Sequence, residues 1–507
     1  MIRFLFTACC GKFPSLCEEE SCQIFVLFNL SRPAIKSMAD KAALNEGQKT
    51  AFKALQRFVE SPGGDSFILK GYAGTGKTFL VQHFAKWLDE KKYAYSMLAA
   101  TGRAAAVLRG KTGMVTRTVH SELYHFNQVS GADDDFPEDA PFEAHGQLTL
   151  QFTTRLPDAA KKVYIIDESS LLSSEVGEED SIVVFGSGNL LVDLFEAVGG
   201  NKVIFVGDPG QLPPIGQAIS PALDMEWLAS NGRTAVSVTL DKIERTTADN
   251  DILVLASMVR NMADRSSHPR YPKLPANRLQ NVHVYEDDKD LFRNYLEQFR
   301  NVGPDGTIAI GRTNEMINII NRAIRRDLYG NSHERMKVDD VLLVTHNNAL
   351  VPLANGDFVT VIEIGVETMM AALHFQSIKV KSLLSGEEYE ILISLDILYG
   401  PKINFTKQQN RALMIDFNRR MKKRDIKVNS DEYKGAMLAD SYLNCLRAKY
   451  GYAVTCHKSQ GGEWDEVYLF LEKGMFVMPA ADLYRWWYTS ITRAKKNLHI
   501  ARGWWIS

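Results

Sequence analysis

Short apolar runs recur along the chain, each breaking off at small or polar residues, and they alternate with stretches whose apolar positions return every three or four residues. The runs include Phe67-Ile68-Leu69, Tyr93 to Ala100, Val163 to Ile166, Val203 to Val206, Val236 to Leu240, Thr307 to Ile310 and Leu498 to Ala501. The continuous ones predict strands buried on both faces. The other stretches predict helices over Leu44 to Leu55, Phe79 to Leu88 and Asp251 to Arg260, the first opening at Asn45, a good N-cap residue. Strand followed by helix, repeated, makes an α/β protein, and ligands of such sheets collect where the strands end. Those ends carry the chemistry.

The run at Phe67 leads into Gly71-Tyr72-Ala73-Gly74-Thr75-Gly76-Lys77-Thr78, which fits the phosphate-binding pattern G-x-x-x-x-G-K-[ST]. Its glycines (Gly71, Gly74, Gly76) let the backbone turn and aim N–H groups at phosphates, Lys77 can reach the β- and γ-phosphates, and the Thr78 hydroxyl can ligate Mg²⁺. The run at Val163 ends in Asp167-Glu168. Beside a phosphate loop, Asp167 suits the Mg²⁺ and Glu168 suits a general base that orients and deprotonates the attacking water; alone, the pair reads as an acidic helix cap. After Val206 comes Gly207-Asp208-Pro209-Gly210-Gln211-Leu212-Pro213-Pro214, a rigid turn that offers the Gln211 amide to a γ-phosphate.

Other strand ends carry polar groups at the sheet edge where ligands bind. They are Thr101-Gly102-Arg103 after Ala100, Thr313-Asn314 after Ile310, and the string Thr455-Cys456-His457-Lys458-Ser459-Gln460-Gly461-Gly462-Glu463 near the C terminus. Singly, Gln48 reads as a solvated helix residue and His457 as a core histidine. Their strings argue otherwise.

At 507 residues, with 45% apolar and 24% charged residues, the chain has the make-up of a globular protein of about three or four domains. No apolar run approaches the roughly 18 residues of a membrane span. Net charge is −2, so a polyanion must be held by local basic surface. From Phe126 to Thr154 there is no Lys or Arg but many acidic residues, which predicts a solvated insertion ending in a strand at Gln147 to Phe152. Between Lys402 and Lys434 ten basic residues face four acidic ones, a phosphate-tracking surface or a solvated helix face. Cys9, Cys10, Cys17 and Cys22 crowd the start, without zinc-site spacing, and only Cys445 and Cys456 follow, as in a cytosolic protein. Residues 1 to 37 read as a dispensable extension ahead of Met38.

These motifs, in this order from residue 44 to about residue 500, resemble the superfamily 1 DNA helicases, in particular their RecD-like, Dda-like branch. The resemblance implies two RecA-like P-loop NTPase lobes with inserted accessory subdomains. It places lobe 1 at about 41–235 with an insertion at 122–158, lobe 2 at 236–350 and 445–507, and a small β-rich SH3-like insertion at 351–444 opening at Asn355-Gly356-Asp357. On that template Gln48 contacts adenine, and Lys77, Glu168, Gln211, Arg245 and Arg493 are catalytic. Gly71, Gly74, Thr75, Gly76, Thr78, Gln460, Gly461 and Glu463 line the nucleotide, and Thr78 with Asp167 holds Mg²⁺. Thr101, Gly102, Arg103, His120, Thr313, Asn314, Thr455, His457 and Lys458 touch DNA. The chain departs from the family at Ala100, where a proline is usual, and at Arg245-Thr246, where Arg-Gln is usual.

The resemblance further implies ATP and Mg²⁺ as cofactors and a monomer working in the cytoplasm of a bacterial or phage-infected cell. It implies single-stranded and forked DNA as partners, alongside single-strand-binding or replication proteins, and 5′-to-3′ movement in replication, repair or recombination. Backbone contacts predict sequence-tolerant binding that weakens with salt. A hairpin ending at Phe152 would split the duplex. The rival readings are a single-strand translocase that unwinds poorly, an RNA-directed helicase, and a non-catalytic nucleic-acid-binding P-loop protein.

Overall fold

The computed structural model describes residues 43–130, 149–157, 160–176, 183–242, 250–330, 334–503 and 505–507. Arg245, the tip of the acidic insertion and the N-terminal extension lie outside the described residues. Among those described, no helix is long and apolar enough to cross a membrane.

Two all-parallel sheets carry the fold. In the first, the strand order is Thr116–Thr118, Ala94–Ala99, Lys162–Asp167, Lys202–Gly207, Ser66–Gly71 and Ala235–Leu240. Its strands are buried on both faces because helices cover both. Phe67 and Leu69 pack on one side with Leu55 and Phe84, and Ile68 packs on the other with Leu194 and Leu223. The order sets the phosphate-loop strand Ser66–Gly71 beside Lys202–Gly207, which borders Lys162–Asp167, so three motif-bearing ends are consecutive. The strand Ala235–Leu240, expected in the second half, pairs in parallel with Ser66–Gly71 instead. Its apolar pattern is the same in either sheet, and only the partner decides.

The second sheet runs Val282–Tyr285, Ala494–Ala501, Trp464–Leu469, Thr307–Gly311 and Ala453–Thr455. Between its halves lies an antiparallel sheet of Glu388–Ser394, Leu373–Ser382, Phe358–Met370, Val341–Val344 and Ala448–Tyr450. This inserted sheet starts before residue 351 and ends after residue 444, because the short flanking strands pair with it and not with the parallel sheet. The basic stretch forms helices Lys407–Lys422 and Asp431–Ala439. Met414, Phe417, Met421 and Tyr433 make their common core, on which Phe126 and Leu150 of the lobe 1 insertion pack. Part of the positive charge is spent internally, Arg420 pairing with Asp416 and Asp440, while Lys422, Lys423 and Arg424 are exposed.

A buried ion pair joins the second parallel sheet to the insertion. Asp340 accepts from Arg325 Nε at 2.8 Å, Arg325 Nη2 at 3.0 Å, Lys337 N at 2.6 Å and the Tyr452 hydroxyl at 2.7 Å. Both charges are out of water, so deleting one strands the other. Asp340→Ala is expected to cost about 3–5 kcal/mol in denaturant unfolding, and a loss under about 1 kcal/mol would show that the pair is not the joint described.

Candidate active site

The phosphate loop is shaped by its glycines and held from behind by Gln48. Gly74 and Gly76 have φ of 80° and 79°, a region costly for other residues. A Cβ on Gly76 would lie 2.4 Å from Gln48 Nε2. That amide donates to the Thr75 carbonyl at 3.2 Å, while its Oε1 accepts the Asn45 N–H at 3.1 Å as half of a capping box. Gln48, expected at adenine, therefore has both ends of its amide engaged and braces the loop. Lys77 Nζ donates to the carbonyls of Gly71 at 2.6 Å and Tyr72 at 3.2 Å. Neutral carbonyls are weaker acceptors than phosphate oxygens, so the ammonium can be drawn off them. Thr78 follows in the first turn of helix Lys77–Glu90.

Asp167 and Glu168 end the strand next but one to the loop. The Asp167 carboxylate accepts the Glu168 N–H at 2.9 Å, and Glu168 adopts φ 52°, a left-handed conformation costing about 1–2 kcal/mol. Burial raises both carboxyl groups above their ordinary range; for Glu168 the Asp167 charge adds to this, while Arg493 and Lys77 oppose it. Such raising suits a proton acceptor.

On the strand between, Gly207 leads to Asp208 and Gln211. Three buried acceptors at this edge, Glu168 Oε2, Gln211 Oε1 and Gln460 Oε1, find no hydrogen-bond partner among the described residues. Open acceptors need donors, so the site fits a phosphate ligand that arrives with water and a hydrated cation.

The second lobe closes this edge. Gln460 Nε2 donates to the Leu212 carbonyl at 3.3 Å, and the Leu212 N–H donates to Thr489 Oγ1 at 2.9 Å. Glu463 sits 3.6 Å from Lys111, and Gly461 packs near Ala104. Arg493 is buried and held by the carbonyls of Thr489 at 2.9 Å and Gly462 at 3.2 Å, with Thr492 Oγ1 at 3.1 Å. Arg260 stacks its guanidinium 3.9 Å from the Tyr72 ring centre. Arg260, Tyr488 and Asp208 had no role in the sequence reading. Their strings were visible, but a contact spanning hundreds of residues leaves no periodic signal.

The expected DNA residues divide. Thr101, Thr313 and Thr455 each N-cap a helix that starts at a strand end, accepting the N–H of Ala104, Met316 and Lys458. Asn314 is exposed beside Thr313. His457 is half-buried, and Lys458 donates to Asn355 Oδ1 at 2.9 Å; burial lowers the pKa of both. His120 packs on Tyr124 and Phe185, and burial keeps it in its neutral form.

Arg103 departs furthest from expectation. Its guanidinium lies between the rings of Phe358 at 4.7 Å and Trp464 at 4.8 Å and donates to the Gly356 carbonyl at 3.2 Å. Burial drops its pKa to about 10, with Asp357 opposing. Gly102 packs so closely on the same turn that a Cβ would come 1.9 Å from Ala354 Cβ. The pair joins lobe 1 to the insertion; Arg103 is not laid on an open DNA surface. Phe152, expected at a strand junction, is instead packed against Phe126 at 5.4 Å and Phe185 at 4.9 Å.

An AAA domain family matches residues 43–267, and a UvrD-like helicase C-terminal domain family matches residues 450–501. An uncharacterized protein of Acanthamoeba polyphaga mimivirus is 23% identical over 521 residues, 89% of this chain and 98% of that protein. The ATP-dependent DNA helicase Pif1 of Bdellovibrio bacteriovorus is 31% identical over 233 residues, 45% of each chain. The ATP-dependent RecD2 DNA helicase of Deinococcus radiodurans is 23% identical over 435 residues, 86% of this chain and 46% of that enzyme. The chain thus spans just under half the length of each named helicase. One matched family covers the phosphate loop, Asp167-Glu168 and Gln211, and the other covers Thr455 to Glu463 and Arg493, so the chain is similar to AAA and UvrD-like helicase domains at both sets of motifs and, over part of their length, to the Pif1 and RecD2 helicases.

Proposed function

We propose that the chain is an ATP-dependent DNA helicase that moves 5′ to 3′ on single-stranded DNA and unwinds duplex by coupling hydrolysis to lobe closure. The observation that carries this reading is the meeting at one sheet edge of the phosphate loop, Asp167-Glu168 and the Gln211 turn with second-lobe residues Gln460, Thr489 and Arg493.

Lys77 and the loop N–H groups hold the phosphates, and Glu168 takes the proton of the attacking water. Gln211 reports the γ-phosphate to both lobes. Thr78 and Asp167 would hold a Mg²⁺ ion, which would supply neutralisation of phosphate charge. Arg493 moves from its Thr489 and Gly462 carbonyls toward the developing charge, and Arg245 is its proposed companion. DNA phosphates lie on the helix starts at Thr101, Thr313 and Thr455, with Asn314 and His457 beside them. Closing and reopening then shifts one lobe's grip along the strand.

Strand separation on forks bearing a 5′ or a 3′ tail tests the proposal. Unwinding from the 5′ tail alone is expected, and unwinding from the 3′ tail would contradict the polarity. The packed Phe152 ring supports a second reading, translocation with weak separation, which the same forks distinguish by ATP consumption without product.

A further inference from the structure

Tyr488 lies in the second-lobe helix Ala480–Ile491, ahead of Arg493, which follows the helix end, and is buried. Its hydroxyl crosses to the first lobe at two points. It accepts the Ala73 N–H, inside the phosphate loop, at 2.9 Å and donates to Asp208 Oδ2 at 2.8 Å. The other Asp208 oxygen accepts the Gly210 N–H at 2.9 Å, immediately before Gln211. The ring lies against the same turn, where a Cβ on Gly210 would come 3.0 Å from Tyr488 Cε1. The next residue, Thr489, takes the Leu212 N–H. One helical turn therefore grips both the phosphate loop and the turn that carries Gln211.

A hydroxyl that bridges a donor and an acceptor fixes their separation. Burial and the Asp208 charge push the Tyr488 phenol far above its ordinary pKa, so it stays protonated and the bridge persists across neutral pH. Arg260, stacked on Tyr72, adds a second hold on the same loop from the same lobe.

From this bridge we infer that Tyr488 is a positioning residue for hydrolysis: its hydroxyl sets the phosphate loop against the Gln211 turn, so that the reactive arrangement exists only while the second lobe is docked. The inference rests on the ATPase reading above and adds how the second lobe, and the DNA on it, would govern the first. Packing alone would need only the ring, whereas this role needs the oxygen.

The test is Tyr488→Phe, which keeps the ring and removes the oxygen. Steady-state ATP hydrolysis is measured for wild type and variant with and without oligo-dT, together with ATP KM, oligo-dT affinity and melting temperature. The variant is expected to lose about 10- to 100-fold in DNA-stimulated kcat, with KM and DNA affinity within about threefold of wild type. Asp208→Asn, approaching the bridge from the other end, should reproduce the pattern, and the double variant should be little worse than either single one. Stimulated turnover within twofold of wild type would overturn the inference while leaving the ATPase reading intact. So would a fall in melting temperature and rise in KM matching the loss of kcat, or losses that multiply in the double variant. A wild-type protein that hydrolyses ATP without any response to oligo-dT would instead overturn the coupling reading and this inference together.

Discussion

Replacing Glu168 with Gln is expected to lower ATP turnover about 10²- to 10⁴-fold while the protein still binds ATP. The carboxylate sits in a strained left-handed backbone position with one buried oxygen unpartnered, an arrangement that costs stability and fixes the group at the sheet edge. Burial and the neighbouring Asp167 charge hold its pKa above the ordinary carboxylate range. The base works ionised, so activity should fail as pH drops through that raised value, at higher pH than an ordinary Glu would give. Stability moves the opposite way. A carboxyl raised on folding costs stability above its folded pKa, and the penalty fades as pH falls toward the unfolded value. The Gln variant carries no charge to desolvate beside Asp167, so its melting temperature should equal or exceed that of wild type. Turnover near the wild-type level would remove Glu168 from the base role.

Arg493→Ala should be at least as severe, with a loss of about 10³ to 10⁵ in kcat, the range for an arginine that meets the transferred phosphate. In the structure this side chain is buried and hydrogen-bonded within its own lobe, through Thr489, Thr492 and Gly462. Those neutral acceptors hold it beside the cleft, close enough for its charge to act on Glu168, and a developing phosphate charge can draw it off them. Arg493→Lys keeps one charge but loses the planar fork, and should recover little. Retention of more than about a tenth of wild-type turnover by the Ala variant would show that Arg493 acts only in packing.

What the sequence made legible was local. The strand runs, the phosphate loop and Asp167-Glu168 all follow from patterns a few residues long, and Thr101, Thr313 and Thr455 stand at strand ends as expected, though their capping of the following helices did not enter that pattern. Long-range partners were not legible. Ala235–Leu240 reads equally well as a strand of either sheet, and the inserted sheet recruits flanking strands whose composition matches a parallel core. Arg103 carries the charge of a DNA contact, yet its partners Gly356, Phe358 and Trp464 lie far along the chain. Gln48 alone reads as a solvated helix residue, and its hydrogen bonds to Asn45 and Thr75, which brace the phosphate loop, leave no mark in the local pattern. Phe152 offered an apolar tip, but its aromatic neighbours come from two other strands.

The coupling between lobes is the centre of the account, and steady-state ATP hydrolysis by the wild-type chain, with and without single-stranded DNA, tests it most directly. Strong stimulation by DNA is predicted, because DNA gripped across both lobes favours the docked arrangement in which Gln211, Glu168 and Arg493 share one cleft. Hydrolysis that is absent, or identical with and without DNA, would contradict it.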